Sequence, residues 1–322
     1  MSQTVFRSLD EARGSFGPCS LAIGNFDGVH IGHQALLHAT RTFALANNLQ
    51  TGVLTFHPHP TVLVAPSRVP PMLCTLEQRL ARLRTFGVQK ILVLPFTDEL
   101  ALLTPDEFIA AIHSSLETKG IFVGDNFRFG HKKAGTTEVL AALGNKYNFA
   151  ATFLDRLTFR GKIVSSSAVR LALSECRLAL AGHLLGRCFS VAGPVVSGQG
   201  IGSKQTVPTL NLRPQEGQIE LRGVYVTQTF DLDNGRSWPS ITNAGVRPTF
   251  GGGEVTIETF LLGPLTGETP RRIRVDFQHY VRPEKQFASA QELKEQIFKD
   301  VTRARVYWRR VQALKQPSAS IY

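Results

Sequence analysis

His30 and His33 stand three positions apart in the stretch IGNFDGVHIGHQALL (23–37), among Gly24, Gly28 and Gly32. That spacing lets both imidazoles point into one site. The glycines permit tight turns and close approach of the backbone to a ligand, and a helix opening behind them presents unpaired N–H groups to an anion. Imidazoles so placed can stabilise the charge that builds on an α-phosphate as pyrophosphate leaves.

The spelling His-Ile-Gly-His is shared by several ATP-using enzymes that attack the α-phosphate, some aminoacyl-tRNA synthetases among them. The acceptor must therefore be read from other residues. The segment IVSSSAVR (163–170) supplies hydroxyls from Ser165, Ser166 and Ser167 and a fixed cation from Arg170 where a helix begins, a set that suits a triphosphate and also a plain helix cap. Asn126 suits a ribose, a phosphate or a metal-bound water, and equally a turn.

These residues need elements to position them. From Ser20 to about Arg187 the runs SLAIGNF, QTGVLTF, KILVLPF, KGIFVG and FAATFL have the length of strands buried on both faces. Helical patterns separate them. TPDEFIAAIHSSL opens with Thr104 as cap, Pro105 at the first helical position and Glu107 closing a capping box. HQALLHATRTFALANN carries Leu36, Thr40, Phe43 and Ala44 on one face and stops at Asn47-Asn48. The alternation predicts an α/β doubly wound parallel sheet, in which ligands bind beyond the C-terminal ends of the strands, and the histidine stretch lies at one such end.

After Gly186-Arg187 the texture changes to short β-rich runs with Asn234-Gly235 as a hairpin turn, which predicts a small antiparallel β-barrel. A C-terminal helix begins near Ser289, with Ser289 and Glu292 as a capping box, and packs Leu293, Ile297, Val301, Ala304 and Trp308 at helical spacing. The domain boundary is expected near 185–190, giving domains 1–186 and 187–322.

The 322 residues are 43% hydrophobic and 19% charged, the composition of a soluble globular protein. There is no apolar signal-peptide core at the N-terminus and no run long enough to span a membrane, so a cytoplasmic protein is expected. Cys19, Cys74, Cys176 and Cys188 have neither zinc nor disulfide-framework spacing, and free buried thiols are expected. The net charge of +11 suits nucleic acid or phosphorylated small molecules. Much of it sits in PRRIRV and VTRARVYWRRVQALK without interleaved stacking aromatics, the pattern of a solvated basic face. Neither a nucleic-acid nor a membrane partner is expected, and the chain is read as a monomer or weak homo-oligomer.

GNFDGVHIGH resembles the adenylyltransferase motif of the bacterial bifunctional riboflavin kinase/FAD synthetase family, and further family motifs follow in order. TFHPHP (55–60), VGDNFRFGHKKAG (123–135) and IVSSSAVR (163–170) resemble its next three segments. The resemblance implies a nucleotidyltransferase-like first domain of the HxGH type that moves AMP from ATP to FMN. ATP would be bound by Gly24, Asn25, Phe26, Asp27, Gly28, His30, His33, Asn126, Ser165, Ser166, Ser167 and Arg170. Phe56, Pro58, Phe127 and Phe129 would form an apolar slot for the flavin ring, which binds by stacking, or belong to the core. A tRNA-acting ligase, the rival reading, would carry a Lys-rich phosphate loop after the sheet, which GSKQT (202–206) only faintly resembles.

In the second half SGQGIGSKQTVPTLNL (197–212) is similar to the flavokinase signature, and there is no P-loop. The resemblance implies ATP and Mg²⁺ binding by Gly200, Gly202, Lys204, Thr209 and Asn211, with Thr209 and Asn211 at the metal. It also implies that Glu258, in EVTIETFLL, accepts the proton of the riboflavin 5′-hydroxyl as it attacks the γ-phosphate. Ile201, Ser203, Thr206-Val207 and Leu210 depart from the family pattern, with Lys204 as a compensating cation. A FAD synthetase with a weakened or lost kinase is the alternative they raise.

Overall fold

The computed structural model describes residues 4–197, 209–247 and 254–315, and the chain divides into two compact units, 1–168 and 169–322. In chain order the first holds β1 (Thr4–Phe6), α1 (Leu9–Ala12), β2 (Cys19–Ile23), α2 (Ile31–Ala46), β3 (Gln50–Phe56), α3 (Thr61–Val64), α4 (Leu76–Thr85), β4 (Lys90–Leu94), α5 (Asp98–Leu102), α6 (Pro105–Leu116), β5 (Thr118–Gly124), α7 (Thr137–Tyr147), β6 (Ala150–Leu154) and the hairpin β7 (Thr158–Phe159) with β8 (Lys162–Ile163). Helix α8 (Ser166–Ser174) crosses the division. There follow α9 (Leu178–Leu185), β9 (Phe189–Val196), β10 (Thr209–Leu212), β11 (Gly223–Asp231), β12 (Ser237–Arg247), β13 (Glu254–Leu261), β14 (Arg272–Arg282) and α10 (Ala290–Lys315).

The first unit is built on a parallel sheet in the order β1-β4-β3-β2-β5-β6. The chain builds outward from β2 to β3 to β4 and then returns to the other side of β2 with β5. The switch point, where α/β sheets bind ligands, therefore falls between β2 and β5. Alternate strand residues serve opposite layers: Leu21, Ile23, Leu54 and Leu92 pack with Phe108 and Ile112 of α6, whereas Ala22, Val53, Ile91 and Val93 pack with Leu36 and Leu37 of α2 and Leu83 of α4. Burial on both faces is why these strands read as continuous apolar runs.

The expected capping box of α6 is present, with Thr104 N–H donating to Glu107 Oε2 at 2.8 Å and Glu107 N–H to Thr104 Oγ1 at 3.3 Å. Helix α2 starts two residues before HQALL and ends at the expected Asn47. The edge strand β1, helix α4 and the β7–β8 hairpin add to what the sequence patterns marked.

In the second unit six antiparallel strands close into a barrel, β10-β13-β12-β11-β14-β9. One alternation of β11 and β12 (Val224, Val226, Ile241) packs outward on Val301, Ala304 and Trp308 of α10. The other points inward and carries hydroxyls: Thr229 to Ser240 (2.8 Å), Ser240 to Thr227 (2.8 Å), Thr227 to Thr242 (2.7 Å) and Thr242 to Thr259 (2.9 Å), all fully buried. Each satisfies its neighbour, as buried polar groups require. At the start of α10 Ser289 Oγ accepts from Glu292 N–H at 3.2 Å, and the Glu292 carboxylate reaches Ala288 N–H at 3.0 Å. Ile297 packs at the margin of the predicted stripe and Leu293 stays half-exposed.

All four cysteines are free; Cys19 and Cys74 are buried as expected, but Cys176 and Cys188 are only half-buried. Among the described residues no helix is long and apolar enough to cross a membrane.

Candidate functional site

Beyond Ile23 the chain turns through Gly24–His30 before α2 begins. Phe26, Gly28 and Val29 all take positive φ, at 52°, 77° and 42°. The conformation is natural to Gly28. For β-branched Val29 it is strained, on the order of 1–3 kcal/mol, and it persists because Phe26 and Val29 are wholly buried against the α2 layer.

His30 is the N-cap of α2, its Nδ1 accepting from His33 N–H at 3.3 Å. The two rings stack with centroids 3.7 Å apart and planes 16° from parallel. Between them in sequence a Cβ on Gly32 would lie 3.2 Å from Cε1 and Nδ1 of the His30 ring. The tetrad thus has a local logic: His30 caps the helix, Gly32 leaves room for the capping ring, and His33 stacks on it. Burial pushes the His30 imidazole down to about 4, against the opposite pull of the Asp27 carboxylate. Burial first, then the charges of His30 and Arg79, hold His33 well below the ordinary imidazole range. Both rings are neutral at pH 7, and with Nδ1 of His30 accepting, its proton sits on Nε2 as a donor.

The other motif residues of this unit meet the same loop. The Asp27 carboxylate, 3% exposed, accepts from Leu73 N–H at 3.0 Å and Cys74 N–H at 3.3 Å, and Cys74 Sγ accepts from Gly28 N–H at 3.2 Å. Ser166 Oγ donates to the Asp27 carbonyl at 2.9 Å, while Ser165 Oγ accepts from Ala168 N–H at 3.1 Å as a helix cap. Ser167 is exposed, and Arg170 lies on α8 beyond the division between the units. The Asn25 amide meets His59 Nε2 at 3.1 Å, and its carbonyl accepts from Thr55 Oγ1 at 3.0 Å. Asn126 is exposed in the turn after β5. Phe56 and Phe129 belong to the core, whereas Phe127, stacked on Phe129 at 5.4 Å, and Pro58 keep exposed surface.

Two residues of this region have no site role in the sequence reading. Cys74 is one, and nothing in its local sequence distinguishes it. The other is Arg79 of α4, 2% exposed, whose Nη1 donates to Phe56 O at 3.1 Å and Thr55 Oγ1 at 3.3 Å. A signal for Arg79 exists: it falls three after Leu76 and four before Leu83, inside the apolar stripe of its helix.

In the second unit Glu258 of β13 is paired across the sheet with Asn211 of β10 on one side and Asn243 of β12 on the other. The row lies on the same alternation as Ile241 and Phe260, which face α10, and Thr209 stands two residues along it, opposite Phe260. Asn243 was not singled out from the sequence. Asn211 Oδ1 is buried with no hydrogen-bond partner. An unfilled oxygen acceptor beside a hydroxyl and a carboxylate is a donor set that suits Mg²⁺. Among the described residues no group of three or more His, Cys, Asp or Glu gathers as a metal cage, so a metal here would rely on phosphates and water as well. Gly200, Gly202 and Lys204, with Ile201, Ser203, Thr206 and Val207, lie outside the described residues. Leu210 is buried on the inward alternation, away from the face of Thr209 and Asn211.

Two family models match the chain, one in each half. The FAD synthetase family model matches residues 13–168 and the riboflavin kinase family model residues 185–308. The bifunctional riboflavin kinase/FMN adenylyltransferase of Escherichia coli (strain K12) is 36% identical over 291 residues, covering 90% of this chain and 93% of the relative. That of Pseudomonas fluorescens is 36% identical over 317 residues, covering 98% and 99%. A crystal structure described as a macrolide-efflux protein from Streptococcus pneumoniae superposes with a TM-score of 0.84 at 24% identity, covering 95% of this chain and 99% of that one, which shows a shared fold. The chain belongs to the bifunctional riboflavin kinase/FMN adenylyltransferase family, and it phosphorylates riboflavin to FMN and adenylylates FMN to FAD.

Proposed function

We propose that each reaction is carried by the residues assembled above, within functional domains 1–186 and 187–322. In the adenylyl transfer a phosphate oxygen of FMN attacks the α-phosphorus of ATP, the bond to the bridging oxygen breaks and pyrophosphate leaves. His30 and His33, neutral and stacked, donate N–H groups to the α-phosphate oxygens as their charge grows. The loop Gly24–Gly28, Asn126, Ser165, Ser166, Ser167 and Arg170 bind the rest of the nucleotide. The flavin lies against Phe56, Pro58, Phe127 and Phe129, chiefly the exposed surfaces of Pro58 and Phe127. No protein nucleophile is needed, because positioning and charge stabilisation carry the transfer.

In the kinase reaction the riboflavin 5′-hydroxyl attacks the γ-phosphate and Glu258 takes its proton. Thr209 and Asn211 hold Mg²⁺, with Gly200, Gly202 and Lys204 around the ATP phosphates. When bound, the ion offsets negative charge on those phosphates. Leu210 lies on the far side of its strand from this set, which favours an active kinase over a weakened one. The enzyme works in the cytoplasm as a monomer or weak homo-oligomer on small molecules, without nucleic acid.

The observation that carries the reading is the stacked, neutral His30–His33 pair at the opening of α2. Incubation of the purified protein with riboflavin, ATP and Mg²⁺, with chromatography of the flavins, tests it. FMN and FAD appear together in the wild type, and His30→Ala/His33→Ala accumulates FMN alone. A double variant that still makes FAD removes the assignment, and FAD formed only from supplied FMN removes the kinase.

A further inference from the structure

Arg79 presents a charge without an evident partner. Its guanidinium is buried, Nη1 is shared between Phe56 O and Thr55 Oγ1, and Nε has no hydrogen-bond partner. Among the described residues no carboxylate pairs with it. A buried cation left uncompensated is costly, and natural proteins supply a countercharge. Its surroundings indicate where that countercharge comes from. Thr55 and Phe56 are the last two residues of β3, at the ligand-binding end of the sheet, and Thr55 passes the contact on to the Asn25 carbonyl in the loop after β2. From α4, then, one side chain ties the ends of β2 and β3 to each other beside the histidine pair.

We propose that Arg79 is a positioning residue for adenylyl transfer, a standing buried charge that fixes the ends of β2 and β3 and is balanced by the phosphates of bound ATP. The proposal rests on the assignment of the nucleotide to the His30–His33 loop. Arg79 does not touch the reacting atoms; at 2% exposure it acts through Thr55, Phe56 and the field it sets. That field is already felt: after burial, Arg79 is the next influence holding His57 below the ordinary imidazole range, and it acts on His33 in the same direction. Polyphosphate arriving at the cradle opposes it, so ATP binding and histidine protonation are linked through one residue.

Arg79→Met and Arg79→Lys test the proposal, with FMN formation from riboflavin as an internal control for folding. Arg79→Met is expected to raise KM for ATP in FAD synthesis about tenfold or more with a smaller change in kcat. The His33 ring resonance should then titrate at higher pH than in the wild type. Arg79→Lys, which keeps the charge without the two-pronged contact, is expected to restore the His33 titration and most of the KM. A wild-type KM and titration in Arg79→Met overturn the proposal. Equal losses in both variants with an unmoved His33 titration also overturn it, since they describe a merely structural side chain. Should Arg79→Met not fold, Arg79→Lys decides: at least tenfold loss with His33 unmoved sinks the idea, and near-wild-type KM upholds it. A wild type that makes no FAD removes the site assignment itself, whereas an active wild type matched by Arg79→Met removes only the role of Arg79.

Discussion

The hydroxyl of Ser166 donates to the backbone carbonyl of Asp27 at 2.9 Å, across 139 residues of sequence. This bond fastens the start of α8 onto the glycine-rich loop, so two motifs far apart in the chain share one backbone position. Ser166→Ala removes the donor and with it this hydrogen bond, a loss of about 0.5–1.5 kcal/mol. FAD synthesis should fall roughly three- to tenfold by the same arithmetic, with riboflavin phosphorylation unchanged. Parallel assays from riboflavin and from FMN separate the two; equal loss in both would point to global instability instead.

Gly32→Ala tests the logic of the tetrad. A methyl 3.2 Å from the His30 ring must displace that ring or the start of α2. Alanine favours a helix over glycine by about 1 kcal/mol, so stability should hold within about that margin while FAD synthesis drops at least about tenfold, a loss of 1.4 kcal/mol in the transition state. Denaturant melts together with initial rates check both halves. A fully active Gly32→Ala enzyme refutes the packing account.

The pH dependence follows from the His30 imidazole, lowered from 6.5 to about 4 by burial. Its folded value lies below its unfolded one, so between these limits the unfolded chain binds more protons. Stability is therefore fully present above pH 6.5 and declines as pH falls towards 4, by up to about 3 kcal/mol. Denaturation of the wild type and of His30→Asn from pH 8 to 4 should show the slope in the first and its reduction in the second. The adenylyl step itself should have no inflection near pH 6.5 from this residue.

Glu258→Gln keeps the shape of the row between Asn211 and Asn243 and removes the base. FMN formation from riboflavin should fall about 100-fold or more, the scale of a positioned general base, while FAD formation from supplied FMN persists. A kinase reduced less than about tenfold would show that proton removal is not Glu258's part.

Much of the fold is legible in the sequence, for local reasons. Continuous apolar runs mark β2 to β5 because both faces of each are covered, a similar run marks the half-buried edge strand β6, and Thr104-Pro105 with Glu107 marks α6 because caps are short-range chemistry. The tetrad stands out by its glycines and its two histidines three apart, and the serines by the helix start at which they stand. What escaped was set by long-range contacts. Nothing in the sequence near Asp27 tells that its carboxylate accepts from the N–H groups of Leu73 and Cys74. Phe56 and Phe129 read equally as stacking surface or as core, and only tertiary packing places both in the core. Arg79 sits in an otherwise apolar stripe, where the charge alone gave no partner. Asn243 acquires its place beside Glu258 only from strand register, which a single strand's sequence does not encode.

The hydroxyl chain from Thr229 to Thr259 has a consequence for where chemistry can occur. The hydroxyls meet between neighbouring strands along the inner wall, so they zip β11, β12 and β13 together on the face turned away from α10. The proposed kinase row of Thr209, Asn211 and Glu258 lies on the other alternation of its strands, opposite to the inner threonines. Each of these strands is consequently two tools laid back to back: every second residue locks the staves together, and the ones between serve the packing of α10 and the proposed kinase row.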